Sequence, residues 1–277
     1  MNKLPKISII TVAYNAADTI EETILSVINQ TYSNIEYIII DGGSIDGTID
    51  IIKKYSDNIS YWVSEPDKGI YDAMNKGAIK ATGKYIQYLN SSDILYKTTV
   101  ITEIISRIPN KDNYPDIVYG DMIIDKRFGT FYMQPASLSE FYNTFPMYHP
   151  SSWVKKELLL KVKFDTNFKI SADFNLFRNL YYSGYKFYYV PIAFTIFEGI
   201  YGISSTSHYR SWLEKQIIIN KKQPRHKVFY KKYQTIFSQK IKSIIYRILD
   251  IIFPNLRDNI AFNTFMKDKK VKYASKR

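Results

Sequence analysis

Several short polar segments carry carboxylates whose type and spacing could support chemistry on a bound ligand. Asp41 and Asp46 lie in the segment DGGSIDGT, Asp67 and Asp72 lie in PDKGIYD, and Asp93 ends the segment LNSSD. A carboxylate can accept a hydrogen bond from a nucleotide base, bind a divalent cation or take a proton from a hydroxyl group. These residues are therefore candidates for a ligand site, provided that the fold brings them together.

The first hundred residues alternate between strand patterns and helix patterns, which would position these loops. Strands are predicted for residues 7–12, 36–40, 59–63 and 84–89, and helices for residues 18–30, 48–55 and 70–81. Asp18 is expected to cap the first helix, and Asp46 or Thr48 the second. Such alternation predicts right-handed βαβ units and a mostly parallel sheet flanked by helices, which is an α/β fold.

Polar clusters follow four of the predicted strands. They are Thr11–Asn15, Asp41–Asp46, Ser64–Lys68 and Asn90–Asp93. Any one of these loops could simply be a turn, because Gly, Ser and Asp are common turn residues. In an open α/β sheet, however, ligands bind beyond the carboxyl ends of the strands. Four polar loops at that edge favour a single binding crevice.

Composition and charge narrow the class of protein. The chain has 277 residues, 45% of them hydrophobic, with a net charge of +12 and no cysteine. The lack of cysteine excludes disulfides and thiolate metal sites, and we find neither a signal-peptide pattern nor an apolar stretch of about 20 residues. A cytoplasmic location is therefore expected. Basic residues gather after Glu214, which predicts contact with a polyanion or an anionic membrane.

Two long segments resemble the N-terminal half of family 2 glycosyltransferases, which are nucleotide-sugar-dependent enzymes with a GT-A fold. They read KISIITVAYNAADTIEETILSVINQTYSNIEYIIIDGGSIDGT and SEPDKGIYDAMNKGAIKATGKYIQYLNSSD. A thinner similarity continues to about residue 205 through YHPSSWVKKELL, FKISADFNLFRNLYYSGYKFYYV and FEGIYGISS. The third-loop form EPDKGIYDAMNKG is common in members that build bacterial surface polysaccharides.

The resemblance implies a division of the chain. A GT-A domain is expected over residues 1–213, with a nucleotide-sugar-binding half at 1–100 and an acceptor-binding half at 101–213. A basic, amphipathic helical extension would occupy residues 214–277. Within that extension, apolar residues recur at helical spacing from Ile236 to Ile252, and Pro254 ends the pattern.

The resemblance also implies donor-binding roles in the polar loops. Asp41 is expected to accept a hydrogen bond from the nucleotide base, with Gly42 and Gly43 leaving room for the base or ribose. Asp46 is expected instead to shape its loop. The full set of implied donor-binding residues is Thr11, Ala13, Tyr14, Asn15, Asp41, Gly43, Ser44, Asp67, Gly69, Asp72, Asn75 and Ser92.

LNSSD occupies the place where the family usually carries an Asp-x-Asp or Asp-Asp pair that binds a cation. Only Asp93 remains here, because Ser92 replaces the preceding acid and Asn90 and Ser91 offer neutral oxygens at most. One carboxylate is still chemically sufficient, since Mg²⁺ often binds through few protein ligands together with substrate phosphates. The resemblance thus implies Mn²⁺ or Mg²⁺ at Asp93.

Asp173, in ISADFNLFRNL, matches the position of the catalytic base in the family. Its alternative role is to cap the helix that follows. His149, in YHPSSW, could contact the diphosphate, the metal or the acceptor, or it could be a buried structural histidine. Gly202 and Ser204, in FEGIYGISS, are implied to lie in a loop that closes over the sugar and the acceptor.

Together these expectations describe an inverting glycosyltransferase of bacterial surface polysaccharide synthesis. Its donor would be a UDP-sugar and its acceptor a glycan, lipid-linked through a polyprenyl group. The alternatives are a nucleotidyltransferase, a catalytically impaired glycan-binding protein and a nucleic-acid-binding protein. The glycine-rich phosphate loop typical of nucleotidyltransferases is missing from the segment TVAYNAADT. No recognised nucleic-acid-binding module supports the role in nucleic-acid binding.

The amphipathic pattern at the end of the chain leaves two roles open. Its apolar stripe could pack on the catalytic domain or on a second subunit. It could also lie in the interface of an anionic membrane, where apolar burial and lysine attraction add. The second role would make the protein peripheral on the inner face of the cell membrane.

Overall fold

The computed structural model describes residues 4–109, 114–126, 129–199 and 208–220, together with the strand at 272–273. Its strands are β1 (Ile7–Ala13), β2 (Ile35–Asp41), β3 (Tyr61–Ser64), β4 (Tyr85–Tyr88), β5 (Ile94–Leu95), β6 (Ile117–Lys126), β7 (Gly129–Met133), β8 (Ser152–Lys155), β9 (Phe187–Glu198) and β10 (Lys272–Tyr273). Its α-helices are α1 (Ile20–Ile28), α2 (Thr48–Lys54), α3 (Ile70–Lys80), α4 (Val100–Arg107), α5 (Lys156–Val162), α6 (Ala172–Tyr182) and α7 (His208–Ile219). The predicted strands and helices of the first hundred residues are all present.

The first four strands form the parallel half of the sheet, in the order β3-β2-β1-β4. All seven residues of β1 are buried, as expected for a central strand covered on both faces. Because these strands are parallel, their carboxyl ends and the loops that follow lie along one edge. This arrangement confirms the predicted βαβ organisation.

Beyond β4 the sheet is mixed. β8 pairs antiparallel with both β4 and β6, whereas β6 and β9 pair in parallel with a register shift around Gly120 and Asp121. The short strand β10 pairs antiparallel with β7. The expectation of a mostly parallel sheet therefore holds for β1 to β4 only, because β8 pairs with β4 and β6 in the antiparallel direction.

Helix α1 begins later than predicted, and its cap differs. The N-cap residue is Thr19, not Asp18, and it makes no side-chain capping hydrogen bond. The carbonyl of Ala16 accepts hydrogen bonds from the backbone N–H groups of Thr19 and Ile20, so the chain already turns at residue 16. Asp18 lies within this turn, ahead of the N-cap position.

Helix α2 follows the prediction more closely. Gly47 occupies its N-cap position with φ of +101°, a conformation that favours glycine. Oδ1 of Asp46 accepts hydrogen bonds from the backbone N–H of Thr48 at 3.1 Å and from its hydroxyl at 2.6 Å. Asp46 thus supplies the capping interaction and shapes its loop, as the sequence suggested.

Helices cover both faces of the sheet and create two apolar cores. On one face, Ile7 and Ile9 of β1 share a core with Ile20 and Ile24 of α1. On the other face, Ile10 and Val12 share a core with residues of α3 and α6, including Met74, Ala78, Phe174 and Phe177. Because α3 and α6 cover the same face, the loop that precedes α3 and the start of α6 belong to the same side of the molecule.

Helix α7 packs on this second core. Ile218 is buried there, and the side chain of Glu214 is buried as well. The predicted domain boundary at residue 214 therefore falls inside a helix that packs on the domain. The amphipathic segment 236–252 lies outside the described residues. In the ranges that the structure describes, no helix is both long and apolar enough to cross a membrane.

Candidate functional site

The loops after β1 and β2 form one hydrogen-bonded unit. The backbone N–H of Gly42 donates to the carbonyl of Ala13 at 2.8 Å, and that of Asn15 donates to the hydroxyl of Ser44 at 2.8 Å. Oδ1 of Asn15 accepts from the backbone N–H of Ile45 at 3.0 Å. These bonds bring together Ala13, Asn15 and Ser44, three of the residues implied in donor binding.

Asp41 holds the second and third loops together. Its Oδ2 atom accepts hydrogen bonds from the backbone N–H of Ser44 at 2.8 Å and from the hydroxyl of Ser64 at 2.6 Å, and it also accepts from the N–H of Gly43. Its Oδ1 atom accepts from the Ser44 hydroxyl. The carboxylate is fully buried. The structure thus gives Asp41 a loop-organising role, and its contact with a base stays a prediction.

Gly42 lies close to the side chains of Asp67, in the third loop, and Tyr14. A Cβ atom at this position would lie 2.7 Å from Oδ2 of Asp67 and 3.3 Å from Cδ2 of Tyr14. The space that was expected to admit a base or ribose is therefore used in part by the Asp67 carboxylate. Asp67 also accepts from the N–H of Gly69 at 2.6 Å, and the Tyr14 side chain is exposed. Tyr14 and Asp67 thus lie side by side at the ends of β1 and β3, with Tyr14 exposed and Asp67 partly exposed.

Two implied donor-binding residues make different contacts in the structure. The amide of Asn75 donates to the carbonyl of Phe164 at 2.9 Å and accepts from its N–H at 2.9 Å, so it joins α3 to the acceptor half. The hydroxyl of Thr11 is buried inside the sheet, 3.1 Å from the Tyr37 hydroxyl. Neither side chain is therefore directed to the donor crevice in this arrangement. Asp72, by contrast, lies in the first turn of α3 and accepts from the N–H of Lys68 at 3.0 Å.

Asp93 is a buried carboxylate with an unpaired oxygen. Oδ1 accepts from the N–H of Glu198 at 3.2 Å, whereas Oδ2 has no hydrogen-bond partner among the described residues. Burial raises the pKa of Asp93 to about 7, and the negative charge of Glu198 acts in the same direction. Such an environment stabilises the neutral acid unless a positive charge is supplied.

His149 sits between the end of β4 and the start of α6. Its ring packs against those of Tyr88, Phe164 and Phe177, with ring centroids 5.4–5.8 Å apart. Nδ1 lies 3.9 Å from Oδ2 of Asp173. Burial lowers the pKa of His149, and the negative charge of Asp173 opposes this shift. The imidazole is therefore held neutral beside a carboxylate.

Asp173 is the second residue of α6, and Ser171 is the N-cap residue. The alternative in which Asp173 is the cap is therefore not observed. Its Oδ1 atom accepts from the N–H of Phe174 at 2.8 Å and from the Tyr71 hydroxyl at 3.2 Å. The side chain is 20% exposed. Oδ2 is thus the carboxylate oxygen that remains for a substrate.

Two residues that support Asp173 were missed from the sequence. The buried Tyr71 hydroxyl also donates to the carbonyl of Ile170 at 2.6 Å, and burial raises its pKa well above the usual value. Glu214 of α7 accepts hydrogen bonds at 2.9 Å from three consecutive backbone N–H groups, those of Lys169, Ile170 and Ser171. Tyr71 lies inside the motif GIYDAMN, whereas no local pattern marks Glu214.

Three buried side-chain atoms in the described part of the chain lack hydrogen-bond partners. They are Oδ1 of Asn90, Oδ2 of Asp93 and Nε2 of His149. Asn90 and Asp93 follow β4, and His149 packs on Tyr88 at the end of that strand. Buried polar atoms usually have partners, so these three mark a place where a polar ligand would complete the structure.

The geometry agrees with a comparison to known proteins. Residues 8–179 match the family model described as Glycosyl transferase family 2. The chain belongs to glycosyl transferase family 2. A glycosyltransferase of Mycobacterium tuberculosis is 32% identical over 181 residues, which cover 62% of this chain and 68% of the relative. A PGL/p-HBAD biosynthesis glycosyltransferase of Mycobacterium bovis is 33% identical over 123 residues, which cover 43% of this chain and 48% of that relative.

Solved glycosyltransferase structures share the fold of this family 2 member. Staphylococcus aureus TarS in complex with UDP has 17% identity and a TM-score of 0.60, covering 77% of this chain and 64% of TarS. The mannosyltransferase PcManGT from Pyrobaculum calidifontis, in complex with GDP-Man and Mn²⁺, has 19% identity and a TM-score of 0.55, covering 77% and 61%. The chain thus spans less than two thirds of each solved chain. The predicted GT-A fold is confirmed.

Membership of family 2 confirms the family that the polar loops indicated, whereas the role of each loop residue stays a prediction. Ser92 and Asp93 follow β4 where the cation site was expected, and no group of three His, Cys, Asp or Glu side chains suited to a metal occurs in the described ranges. Gly202 and Ser204 lie outside the described residues.

Proposed function

We propose that this family 2 member transfers a sugar from a nucleotide-sugar donor to a glycan hydroxyl, with inversion at the anomeric carbon. The observation that carries the proposal is the position of His149. Its ring packs on Tyr88 of β4, whose following loop carries Asp93, and its Nδ1 atom lies 3.9 Å from Asp173. His149 therefore connects the candidate base to the strand whose following loop carries the candidate cation ligand.

Asp173 would act as the catalytic base through Oδ2. Since Oδ1 already accepts from Phe174 and Tyr71, an acceptor hydroxyl would give its proton to Oδ2. The acceptor oxygen then forms a bond to the anomeric carbon, and the bond from that carbon to the donor phosphate oxygen breaks. The nucleoside diphosphate leaves with the electron pair. A single displacement of this kind inverts the anomeric configuration.

The residues after β4 fit a divalent cation that would also bind the phosphate oxygens of the donor. Oδ2 of Asp93 and Oδ1 of Asn90 are oxygens without partners among the described residues, and oxygen is the ligand that Mg²⁺ and Mn²⁺ prefer. When bound, such a cation supplies charge neutralisation for the leaving diphosphate. Asp93 would hold it, with Asn90 and Ser92 as neutral neighbours.

The donor would be a UDP-sugar, held at the loops after β1, β2 and β3. TarS structures contain UDP and UDP-GlcNAc, and the PcManGT structure contains GDP-Man, so the fold is compatible with either base. Tyr14, which is exposed, and Asp67, which is partly exposed, would contact the nucleotide. The acceptor would be a polyprenyl-linked glycan of bacterial surface polysaccharide synthesis, met at the inner face of the cell membrane.

A panel of UDP-, GDP- and dTDP-sugars with Mn²⁺ tests this function. Release of a nucleoside diphosphate, dependent on Asp173, would support glycosyl transfer. Release of pyrophosphate would support a nucleotidyltransferase instead. Thermal stabilisation by a nucleotide sugar, without any product, would indicate a catalytically impaired glycan-binding protein, because a bound ligand raises apparent stability by mass action.

A further inference from the structure

A cleft of about 330 Å³ lies beside Tyr71, whose hydroxyl contacts the candidate base Asp173, and two of its lining residues, Gly69 and Asp72, belong to the implied donor-binding set. It is lined by residues 68–72 at the start of α3, by Thr166 and residues 168–170, and by Arg210 of α7. Its volume is within the range of small-molecule sites. Two of its lining residues, Tyr71 and Ile170, are the pair whose hydrogen bond supports Asp173. A molecule in this cleft would therefore contact the residues that hold Asp173 in place.

The charge of the cleft is positive. Lys68, Lys169 and Arg210 line it, together with one carboxylate, Asp72. Arg210 is balanced by Glu214, which its Nε atom approaches to 3.1 Å, and Asp72 lies 4.0 Å from Lys76. Neither Lys68 nor Lys169 forms an ion pair with a carboxylate of the described residues, and both side chains are exposed. Two uncompensated ammonium groups thus remain at the cleft.

The two lysines are held near each other by the backbone. Nζ of Lys169 donates a hydrogen bond to the carbonyl of Lys68 at 3.2 Å. This contact joins residues on opposite walls of the cleft, because Lys68 precedes α3 and Lys169 precedes α6. Positive charges gathered in a cleft raise the local concentration of anions. Phe168 and Tyr71 add aromatic surface to the same walls.

We propose that this cleft binds a phosphate group of the acceptor. The proposal rests on the glycosyl transfer proposed above and names the class of acceptor. One wall of the cleft, Lys68 to Asp72, belongs to the loop after β3 and the start of α3, where the donor is also expected. Its position favours the acceptor because the rest of its lining, from Thr166 to Arg210, lies in the half expected to bind the acceptor, and because Tyr71 contacts Asp173. The phosphate could belong to a polyprenyl diphosphate or to a phosphodiester within the glycan.

The test compares acceptors that differ only in their phosphate. Three proteins are compared: wild type, Lys68→Gln/Lys169→Gln and the control Lys53→Gln/Lys161→Gln. Each double variant loses two positive charges, but only the first loses them at the cleft. Each protein is assayed with a sugar linked to a short prenyl diphosphate, with a phosphodiester-linked glycan and with a phosphate-free alkyl glycoside of the same sugar. The ratio of acceptor KM values within one variant cancels any effect on the donor.

We expect Lys68→Gln/Lys169→Gln to raise the KM for a phosphate-bearing acceptor about 10-fold or more relative to the neutral glycoside. The control should keep the wild-type ratio, and added salt should weaken the wild-type preference because it screens exposed charges. The preferred phosphate-bearing acceptor identifies the source of the phosphate. Equal changes for charged and neutral acceptors, or a wild type without preference for phosphate, would overturn the proposal.

A binding measurement separates this inference from the proposed function. With the donor site filled by UDP or GDP, methyl phosphate is titrated calorimetrically into the three proteins. Binding to wild type and to the control, with loss in Lys68→Gln/Lys169→Gln, would support the cleft even if no sugar were transferred. Unchanged binding in Lys68→Gln/Lys169→Gln, or none in wild type, would refute the cleft whether or not transfer occurs.

Discussion

Nδ1 of His149 lies 3.9 Å from Oδ2 of Asp173, which is too long for a hydrogen bond but close enough for their charges to interact. Burial lowers the pKa of His149, and Asp173 partly restores it. Tyr71 and Phe174 both bond to Oδ1 of Asp173, so Oδ2 is the oxygen that accepts no hydrogen bond from them. A neutral imidazole beside this oxygen leaves the carboxylate free to take a proton from an acceptor.

The titration of His149 should report this contact. We expect its pKa to lie below the usual range for histidine in wild type and to fall further in Asp173→Asn, because the variant removes the negative charge that favours the imidazolium. Nitrogen-detected NMR of the imidazole follows the titration directly. His208 and His226 serve as internal controls. A His149 pKa that does not change in Asp173→Asn would show that the two groups do not interact.

Asp173→Asn should separate donor binding from sugar transfer. The amide keeps the size of the side chain but removes the basic oxygen, so we expect transfer to fall by about 10²-fold or more while nucleotide affinity stays within about twofold. Steady-state transfer and calorimetric titration with the nucleotide measure the two effects. Asp165→Asn, in the loop before α6, is the matched control. Loss of nucleotide affinity in Asp173→Asn would instead assign Asp173 to the donor site or to the fold.

Asp93 should make stability depend on pH and on a divalent cation. Its pKa is about 7 in the folded protein, whereas that of an ordinary, solvated aspartate is 3.8, so the folded state holds an extra proton between these values. Without a cation, the free energy of unfolding should therefore fall as pH rises through this window, by up to about 1.4 kcal/mol for each unit. The contribution of the protonated acid is fully present below pH 3.8 and is lost above pH 7.

Asp93→Asn removes this titration and provides the measurement. The free energy of unfolding, measured with denaturant in the presence of chelator, should fall less for the variant than for wild type between about pH 5 and about pH 8. Adding Mn²⁺ and nucleotide at the upper end of this range should stabilise wild type but not Asp93→Asn, and turnover should be lost in the folded variant. Full activity of Asp93→Asn in the presence of chelator would show that Asp93 does not bind a catalytic cation.

Glu214 should act as a positioning residue for the base. Its carboxylate accepts from three backbone N–H groups directly before α6, so Glu214→Ala leaves these groups without their partner. We expect kcat to fall about 10-fold and the free energy of unfolding to fall by about 1–3 kcal/mol. Nucleotide affinity should remain near wild type.

A conservative variant distinguishes positioning by Glu214 from simple support of the fold. Glu214→Gln retains one accepting oxygen and should recover part of the lost kcat, while its KM for the donor stays unchanged. Glu157→Ala, on the exposed surface of α5, is the control for loss of a carboxylate. Equal losses of kcat and donor affinity in Glu214→Ala would indicate a general loss of structure.

The parallel half of the fold could be predicted because its signals are local. The strand predicted at 36–40 extends from Ile35 to Asp41, and each helix between the first four strands was found within about two residues. Continuous β-branched runs identify buried strands, and the polar loops between them follow from βαβ order. The cap of α1 was wrong because the turn at Ala16 shifts the helix start, a backbone effect that residue type does not reveal.

The candidate site could be predicted only in part, since its support comes from distant segments. Asp93 and Asp173 stand in recognisable motifs. The Asn75 amide, however, bonds the backbone of Phe164, which is 89 residues away in sequence, and Glu214 bonds residues 169–171 across more than 40 residues. Such pairings depend on how α3, α6 and α7 pack on one face of the sheet, and no short pattern encodes them.

The basic end of the chain should bind anionic membranes. Residues 236–252 have an amphipathic helical pattern, and each Lys or Arg near an anionic surface contributes about 1 kcal/mol. To test this, the chain should be truncated after Asn220, because α7 packs on the domain and carries Glu214. The truncation also removes β10, a two-residue strand at the end of the sheet order, paired only with β7. We expect a chain of residues 1–220 to stay folded without it and to hydrolyse or bind the donor, yet no longer to sediment with anionic vesicles.

Sedimentation with vesicles, compared between residues 1–220 and the full chain, measures this prediction. Binding of the full chain should weaken as salt is added, because the Debye length shortens from about 10 Å at 0.1 M to about 3 Å at 1 M. Neutral vesicles are the control for purely apolar insertion. Equal binding of both chains to anionic vesicles would show that the segment after residue 220 does not bind the membrane. Insolubility of residues 1–220, from apolar surface that the deleted segment had covered, would favour packing on the domain or on a second subunit.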